Sequence, residues 1–337
     1  MPERVRVAVL AGGRSSEHEI SLASARSVLE ALDPERYDVR QLAIGRDGRW
    51  ELGTGEDGAS GETLPIPSAR TPAPLGPIDV VLPILHGPFG EDGTVQGLLE
   101  LADVAYVGPG VLASALCMDK DVFKRVMRDQ GVPVAEHVAL RLGDATRNPF
   151  GYPVFVKPAR LGSSVGISKV REESELDEAV ALARRHDEKV LVEQFVPGME
   201  VEVALLGNLP TPAASLPGQV VSHFADWYDY SSKYDEGGSD LVIPPPGLSE
   251  AQIERAQQLA VQAFVATECE GMARADFFVR ESDGEIVMNE LNTIPGFTAT
   301  SFYTRLFAAS GWTYSALLDE LIRLALERFE RRSGLRY

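Results

Sequence analysis

The chain has 337 residues, 44% hydrophobic and 24% charged, a composition that excludes general disorder and a length that suggests two or three domains. Its 50 acidic residues against 32 basic ones give a net charge of -18, which opposes the basic footprint a nucleic-acid binder needs, though not a small phosphorylated ligand. No apolar run reaches the roughly 18 residues that span a bilayer and the start MPERVRVAVL lacks a signal pattern, so a cytoplasmic protein without membrane partners is expected.

Val5 to Leu10 is a β-branched run ending in Ala11-Gly12-Gly13, after which Ile20, Leu22, Ala23, Val28 and Leu29 recur at helical spacing: strand, tight loop, helix. Strands around Tyr37 to Ile44 and Val80 to Leu85 alternate with helical stretches, as in an open parallel α/β domain. Between them residues 53–77, with five glycines and five prolines, read as a surface loop. Gly108-Pro109-Gly110 punctuates the chain, a helix is expected over 119–129, and a strand follows at Pro153 to Val156. Ser174 is expected to cap a helix whose apolar face is Leu176, Ala179, Val180 and Ala183. Strands at Val190 to Val192 and Val201 to Leu205 flank a hinge at Pro197-Gly198, and residues 226–247 read as irregular. Ser249 with Gln252 forms a capping box before a helix, a strand pair turns at Asp283-Gly284, and residues 313–331 form an amphipathic helix. Its arginines Arg328, Arg331 and Arg332 are read as charges favoured by the helix dipole. Cys117 and Cys269, without CxxC spacing, are read as structural.

Four sets of residues suggest chemistry. Lys157 ends a strand and precedes Pro158 to Ile167, whose two glycines and two serines suit phosphate oxygens, although an ordinary glycine-rich hairpin has the same composition. GxxxxGK[ST] does not occur, and the Gly12-Gly13 loop that follows the first strand lacks the GxGxxG pattern, which demotes both common nucleotide folds. Asp276, Glu290 and Asn292 lie on the expected strand pair. Residues two apart share a face and the turn brings Asp276 opposite, giving hard oxygen donors suited to magnesium, or else a solvated strand face. His86-Gly87-Pro88-Phe89-Gly90-Glu91-Asp92-Gly93 and Glu17 both follow strands of the first domain, at the edge where open α/β sheets bind ligands, although a glycine-rich turn and a helix-start carboxylate have the same composition. Trp227 to Tyr234 is aromatic, polar and aperiodic, either a lid or a mobile surface loop.

In order and spacing these segments resemble the D-alanine:D-alanine ligases of the ATP-grasp superfamily: Gly12-Gly13 with Ser15, Ser16 and Glu17, HGPFGEDGTVQG from His86, Met118-Asp119-Lys120, VKPARLGSSVGISKV from Val156, YDYSSKY from Tyr228, RAD from Arg274, and NELNTIPGFT from Asn289. The resemblance implies an α/β and α+β multidomain fold: an N-terminal open parallel α/β substrate-binding domain over 1–108, a central ATP-grasp subdomain over 109–197 and a C-terminal one over 198–337. It implies that two D-alanines are joined through an acyl phosphate at the expense of ATP, for peptidoglycan precursors, with the protein a cytoplasmic homodimer. By the same resemblance Lys120, Lys157, Ser163, Ser164, Glu193, Gln194, Phe195, Val196 and Glu200 bind ATP. Asp276, Glu290 and Asn292 hold two Mg2+, with Mn2+ an alternative and K+ a further requirement of some members. Glu17, Ser163, Tyr234 and Arg274 are the implied catalytic set, and His86, Lys233, Gly296, Ser301 and Phe302 contact substrate. Met288, Thr304 and the long insert depart from the family pattern without removing a functional group. A D-alanine:D-lactate ligase and a non-catalytic nucleotide-binding module are the competing readings.

Overall fold

The first β-branched run sits at the centre of a sheet in the computed structural model, which describes residues 4–52, 63–64, 77–222 and 239–336. That sheet takes β1 (Val5–Gly12), β2 (Tyr37–Ile44), β3 (Trp50–Leu52), β4 (Thr63–Leu64), β5 (Val80–Ile84) and β6 (Ala105–Tyr106) in the order β4-β3-β2-β1-β5-β6. β2, β1, β5 and β6 are parallel, as expected for strands joined by helical crossovers. β3 and β4 extend the sheet antiparallel, so Thr63–Leu64 is a strand within the segment read as loop. A two-residue edge strand is set by its partner rather than by its own composition.

A second, antiparallel sheet comprises β7 (His137–Leu140), β8 (Val154–Pro158), β9 (Ser168–Val170) and β10 (Val190–Gln194), ordered β7-β10-β8-β9. The third contains β11 (Gly198–Gly207), β12 (Ala213–Ala214), β13 (Gly218–Ser222), β14 (Ser239–Val242), β15 (Gly271–Arg280) and β16 (Ile286–Asn292), ordered β14-β13-β11-β15-β16 with β12 on β11. β14 corrects the reading of 226–247 as wholly irregular; residues 226–238 lie outside the described residues. The helices are α1 (His18–Ala31), α2 (Thr94–Leu101), α3 (Val111–Met118), α4 (Lys120–Asp129), α5 (Leu176–Arg184), α6 (Glu250–Ala266), α7 (Phe302–Ala309) and α8 (Tyr314–Ser333). The Ser249–Gln252 capping box is present on α6. Ser174 does not cap α5: it lies in a short 3-10 turn and donates to Glu172, while Glu175 occupies the cap position. No helix among the described residues is long and apolar enough to cross a membrane.

The last helix is not confined to the sheet that precedes it. Leu317, Leu318, Leu321 and Ile322 of α8 share one buried cluster with Val7, Val9, Val80 and Leu82 of the first sheet. Arg328, read from sequence as a dipole-favoured surface charge, is 4% exposed. Its guanidinium stacks 4.4 Å from the Tyr106 ring centroid and donates to the carbonyl oxygens of Tyr106 (2.8 Å) and Gly108. The sequence around Arg328 shows only its own helix, whereas its partners lie on the chain segment leaving the first sheet. Arg331 and Arg332 do face outward, paired with Glu270 and Glu100.

Arg328→Met is expected to leave two buried carbonyls unpaired and to lower stability by about 2–3 kcal/mol. Urea unfolding checks this, and an unchanged midpoint would show that the guanidinium does not fasten α8 to the first sheet.

Candidate active site

β1 and β5 run parallel and side by side, so the loops that follow them meet at one edge of the first sheet. Gly12 has φ +90, and a Cβ there would stand 2.3 Å from the Ile44 carbonyl oxygen, so only glycine permits the close turn. Ser15 Oγ donates to the His86 carbonyl (2.6 Å) and accepts from the Glu17 N–H (3.2 Å), tying the two loops together. Glu17 is buried, and Gly87, with φ +73, leaves the space its carboxylate fills. His86 is buried with Nδ1 3.0 Å from the Ile294 carbonyl oxygen and 3.6 Å from Glu91. Burial works to lower its pKa, but the Glu91 and Glu17 carboxylates prevail and raise it. Burial and Glu17 raise the Glu91 carboxyl in turn, against the pull of His86.

On the second sheet, Lys157 is the penultimate residue of β8, which runs into the loop at 160–167. Ser163 and Ser164 both have left-handed backbone (φ 53 and 57), a conformation that costs a non-glycine residue about 1–2 kcal/mol and persists only where the surrounding structure holds it. Lys157 Nζ donates to Glu193 Oε1 (2.7 Å), and Lys124, on the inward face of α4, lies 3.0 Å from Glu193 Oε2. Burial acts to raise the Glu193 pKa, but Lys124 and Lys157 hold it down at about 2. Burial, reinforced by Lys157, pulls Lys124 down to about 8 against the upward pull of Glu193.

In the third sheet, the expected strand pair has the register Asp276↔Glu290 and Arg274↔Asn292, and Glu202 of β11 faces Asp276 from the other side. Three carboxylates thus form a row across adjacent strands. Arg274 Nη2 lies 2.7 Å from Asp276 and its Nε 3.2 Å from Glu202, while Lys120 Nζ lies 2.9 Å from Glu290. The ladder shifts between Asp276 and Phe277, leaving Asn289 as the extra residue of a bulge. Its carbonyl oxygen accepts from Lys124 (3.0 Å) and its Oδ1 from Lys157 (3.4 Å). Asp276, Glu290 and Asn292 offer oxygen donors on one face, and two carboxylates with an amide fit a hard divalent cation such as magnesium.

Two cavities meet here. One of about 400 Å³ is lined by Glu17, His86, Arg274 and Asn292, together with Gly296, Ser301 and Phe302. Another, of about 170 Å³, lies between the second and third sheets and is lined by Lys157, Ser164, Gln194, Phe195, Val196, Glu200 and Asp276, with Glu193. Lys120, Gly162, Ser163 and Glu290 line both and form their common wall. Every site residue expected from sequence lies at one or both cavities except Lys233 and Tyr234, which fall outside the described residues. Sequence reasoning missed Lys124 and Glu202. The signals are a lysine four residues after Lys120 on a helix face shared with Phe123 and Met127, and a second carboxylate two residues after Glu200, on the same face of the otherwise apolar strand β11.

A pH dependence follows from Lys124. The unfolded chain holds this proton up to about pH 10.4, the folded chain only to about 8, so between these values the unfolded state binds more protons and stability due to this group rises with pH. Urea unfolding of wild type and Lys124→Met between pH 7.5 and about 9.5 should show wild type gaining on the variant; a constant difference would contradict the assignment.

Residues 6–109 match the model described as "D-ala D-ala ligase N-terminus" and residues 126–323 the model "D-ala D-ala ligase C-terminus". The chain is 44% identical over 352 residues to a D-alanine--D-alanine ligase of Thermoanaerobacter sp. (strain X514), covering 96% of this chain and 97% of that one. Among solved structures it superposes on the D-alanine-D-alanine ligase from Coxiella burnetii with a TM-score of 0.87 at 37% identity, covering 98% and 96% of the two chains. It also superposes on a D-Ala:D-Ser ligase from Enterococcus faecalis with a TM-score of 0.84 at 35% identity, covering 96% of this chain and all of the other. A chain whose two family matches span nearly its whole length, and whose sheets carry the expected residues to one junction, belongs to the D-alanine--D-alanine ligase family.

Proposed function

We propose that this protein joins two D-alanines into D-alanyl-D-alanine with ATP as the energy source, forming ADP and phosphate, as an ADP-forming carbon–nitrogen ligase of peptidoglycan precursor synthesis. The common wall of the two cavities carries the reading, because it is where a carboxylate held in the larger one meets a phosphate entering from the smaller. Phosphoryl transfer is assisted chiefly by positioning and charge neutralisation. Lys157 and Lys120 are the cations placed for nucleotide phosphates, with the Ser163-Ser164 loop offering N–H and hydroxyl groups. Gln194, Phe195 and Val196 make the adenine wall, and Glu200 is placed for the ribose. Asp276, Glu290 and Asn292 would hold two magnesium ions, or manganese, which supply charge neutralisation of the phosphates when bound.

In the larger cavity Glu17, with His86 behind it, receives the ammonium of the first D-alanine. Its carboxylate oxygen attacks the γ-phosphorus, the bond to the ADP oxygen breaks, and an acyl phosphate forms. The amine of the second D-alanine then attacks the acyl carbon. Arg274 and the Gly296 backbone face the oxyanion of that tetrahedral adduct, which collapses to the peptide and phosphate after the amine loses a proton. Ser301 and Phe302 lie where the second carboxylate is bound. Lys233 and Tyr234 complete the reading as lid residues, Tyr234 linked with Glu17 and Ser163. Division at 108/109 and 197/198, a homodimer, a K+ requirement and a cytoplasmic location belong to the same proposal.

Phosphate release with magnesium and ATP is expected with D-alanine and absent with L-alanine or no amino acid, with the dipeptide identified by mass. Ester or D-serine products formed equally fast in competition with D-lactate or D-serine would reassign the acceptor, and ATP binding without amino-acid-dependent release would favour a non-catalytic module. Glu290→Gln is expected to lower turnover at limiting magnesium about tenfold or more without unfolding the chain, and Tyr234→Phe to lower turnover while ATP still binds. Unchanged rates in either variant would remove that side chain from its role.

A further inference from the structure

Lys124 touches neither cavity, yet it is a fully buried ammonium at the meeting point of α4, β10 and β16. Its two partners are Glu193 Oε2 (3.0 Å) and the Asn289 carbonyl oxygen (3.0 Å), which the bulge in β16 releases from the strand ladder. Lys157, which does line the smaller cavity, takes the other oxygen of the same carboxylate and the side-chain oxygen of the same asparagine. The four groups form a closed ring of two lysines, one carboxylate and one neutral amide. Nearby, Lys120 and Glu290 form a separate pair that cancels in charge.

We infer that Lys124 is a positioning residue for the nucleotide: it shares the charge of Glu193, so that Lys157 is held in place by that carboxylate without being neutralised by it. With Lys157 alone on Glu193, the pair would be neutral and would present phosphate with little attraction. With Lys124 present, the ring keeps one net positive charge, and the only member of the two lysines facing the cavity is Lys157. Burial strengthens the effect, because charges inside a poorly polarisable ring are screened far less than at the surface. The bulge at Asn289 gives a second reason for the arrangement. A regular strand would direct that carbonyl into the ladder and leave the buried ammonium with a single partner.

This inference rests on Lys157 facing the nucleotide phosphates, as proposed above, and the test separates the two. Equilibrium affinity is measured for magnesium ATP and for adenosine, and their ratio isolates what the phosphates contribute. Lys124→Met is expected to reduce that ratio about tenfold, raising the KM for ATP while leaving the KM for D-alanine within about twofold. The double variant Lys124→Met with Glu193→Gln leaves Lys157 as an uncompensated cation and is expected to restore most of the ratio, although it removes one more native side chain. A merely structural lysine would not behave this way: it would weaken adenosine and ATP together, and the second substitution would deepen the defect. An unchanged ratio in Lys124→Met, or a double variant whose ratio is no better than that of the single one, would overturn the inference. A wild-type ratio near one would instead overturn the placement of phosphates at Lys157.

Discussion

A carboxylate held between two buried lysines is the interaction on which the site depends. Glu193 stands at the end of β10, in the second sheet, while the asparagine that closes the ring stands in β16 of the third. The ring therefore fixes the distance between the two sheets that enclose the smaller cavity. Charges are costly to bury singly, and each member here is tolerable only because the others are present. That mutual requirement turns an electrostatic liability into a geometric constraint: neither sheet can shift without stranding an ion.

The same logic extends outward from the ring. Lys120 spans from α4 to Glu290, and Arg274 is held between Glu202 and Asp276, so the common wall of the cavities is a row of carboxylates matched by cations from different elements. The larger cavity needs a third wall, which the first sheet supplies through Glu17 and His86. Its position is set at a distance by α8, which buries its leucines against β1 and β5 and seats Arg328 on the carbonyls at and just beyond the end of β6. A site that must exclude water from a reactive acyl phosphate is thereby assembled from three sheets, none of which contains it alone.

Much of this was legible in the sequence, for identifiable reasons. Strand alternation and a turn at Gly284 suffice to bring the Asp276 and Glu290 strands together, but the register set by the turn alone would pair Asp276 with Asn289, and it is the bulge at Asn289 that sets Glu290 opposite Asp276. Glycine-rich loops after Leu10 and Ile84 mark the edge of a parallel sheet with little ambiguity. Lys124, Glu202 and Arg328 were not legible, since residue type places each at the surface and only tertiary partners bring it inside. The strands at Thr63–Leu64 and Ser239–Val242 were missed for a related reason: each exists through pairing with a neighbour distant from the motifs. Ser174 failed as a cap because Glu172 takes its hydroxyl proton and a 3-10 turn intervenes before α5.

In the proposed reaction a substrate carboxylate meets the terminal phosphate of ATP at the wall shared by the two cavities. The most direct measurement follows oxygen from D-alanine labelled with oxygen-18 in its carboxylate, with the released inorganic phosphate analysed by mass. Transfer of one labelled oxygen to each phosphate is the predicted result, since the attacking carboxylate oxygen leaves with phosphorus when the second amine displaces it. Dipeptide formed with unlabelled phosphate would contradict the account.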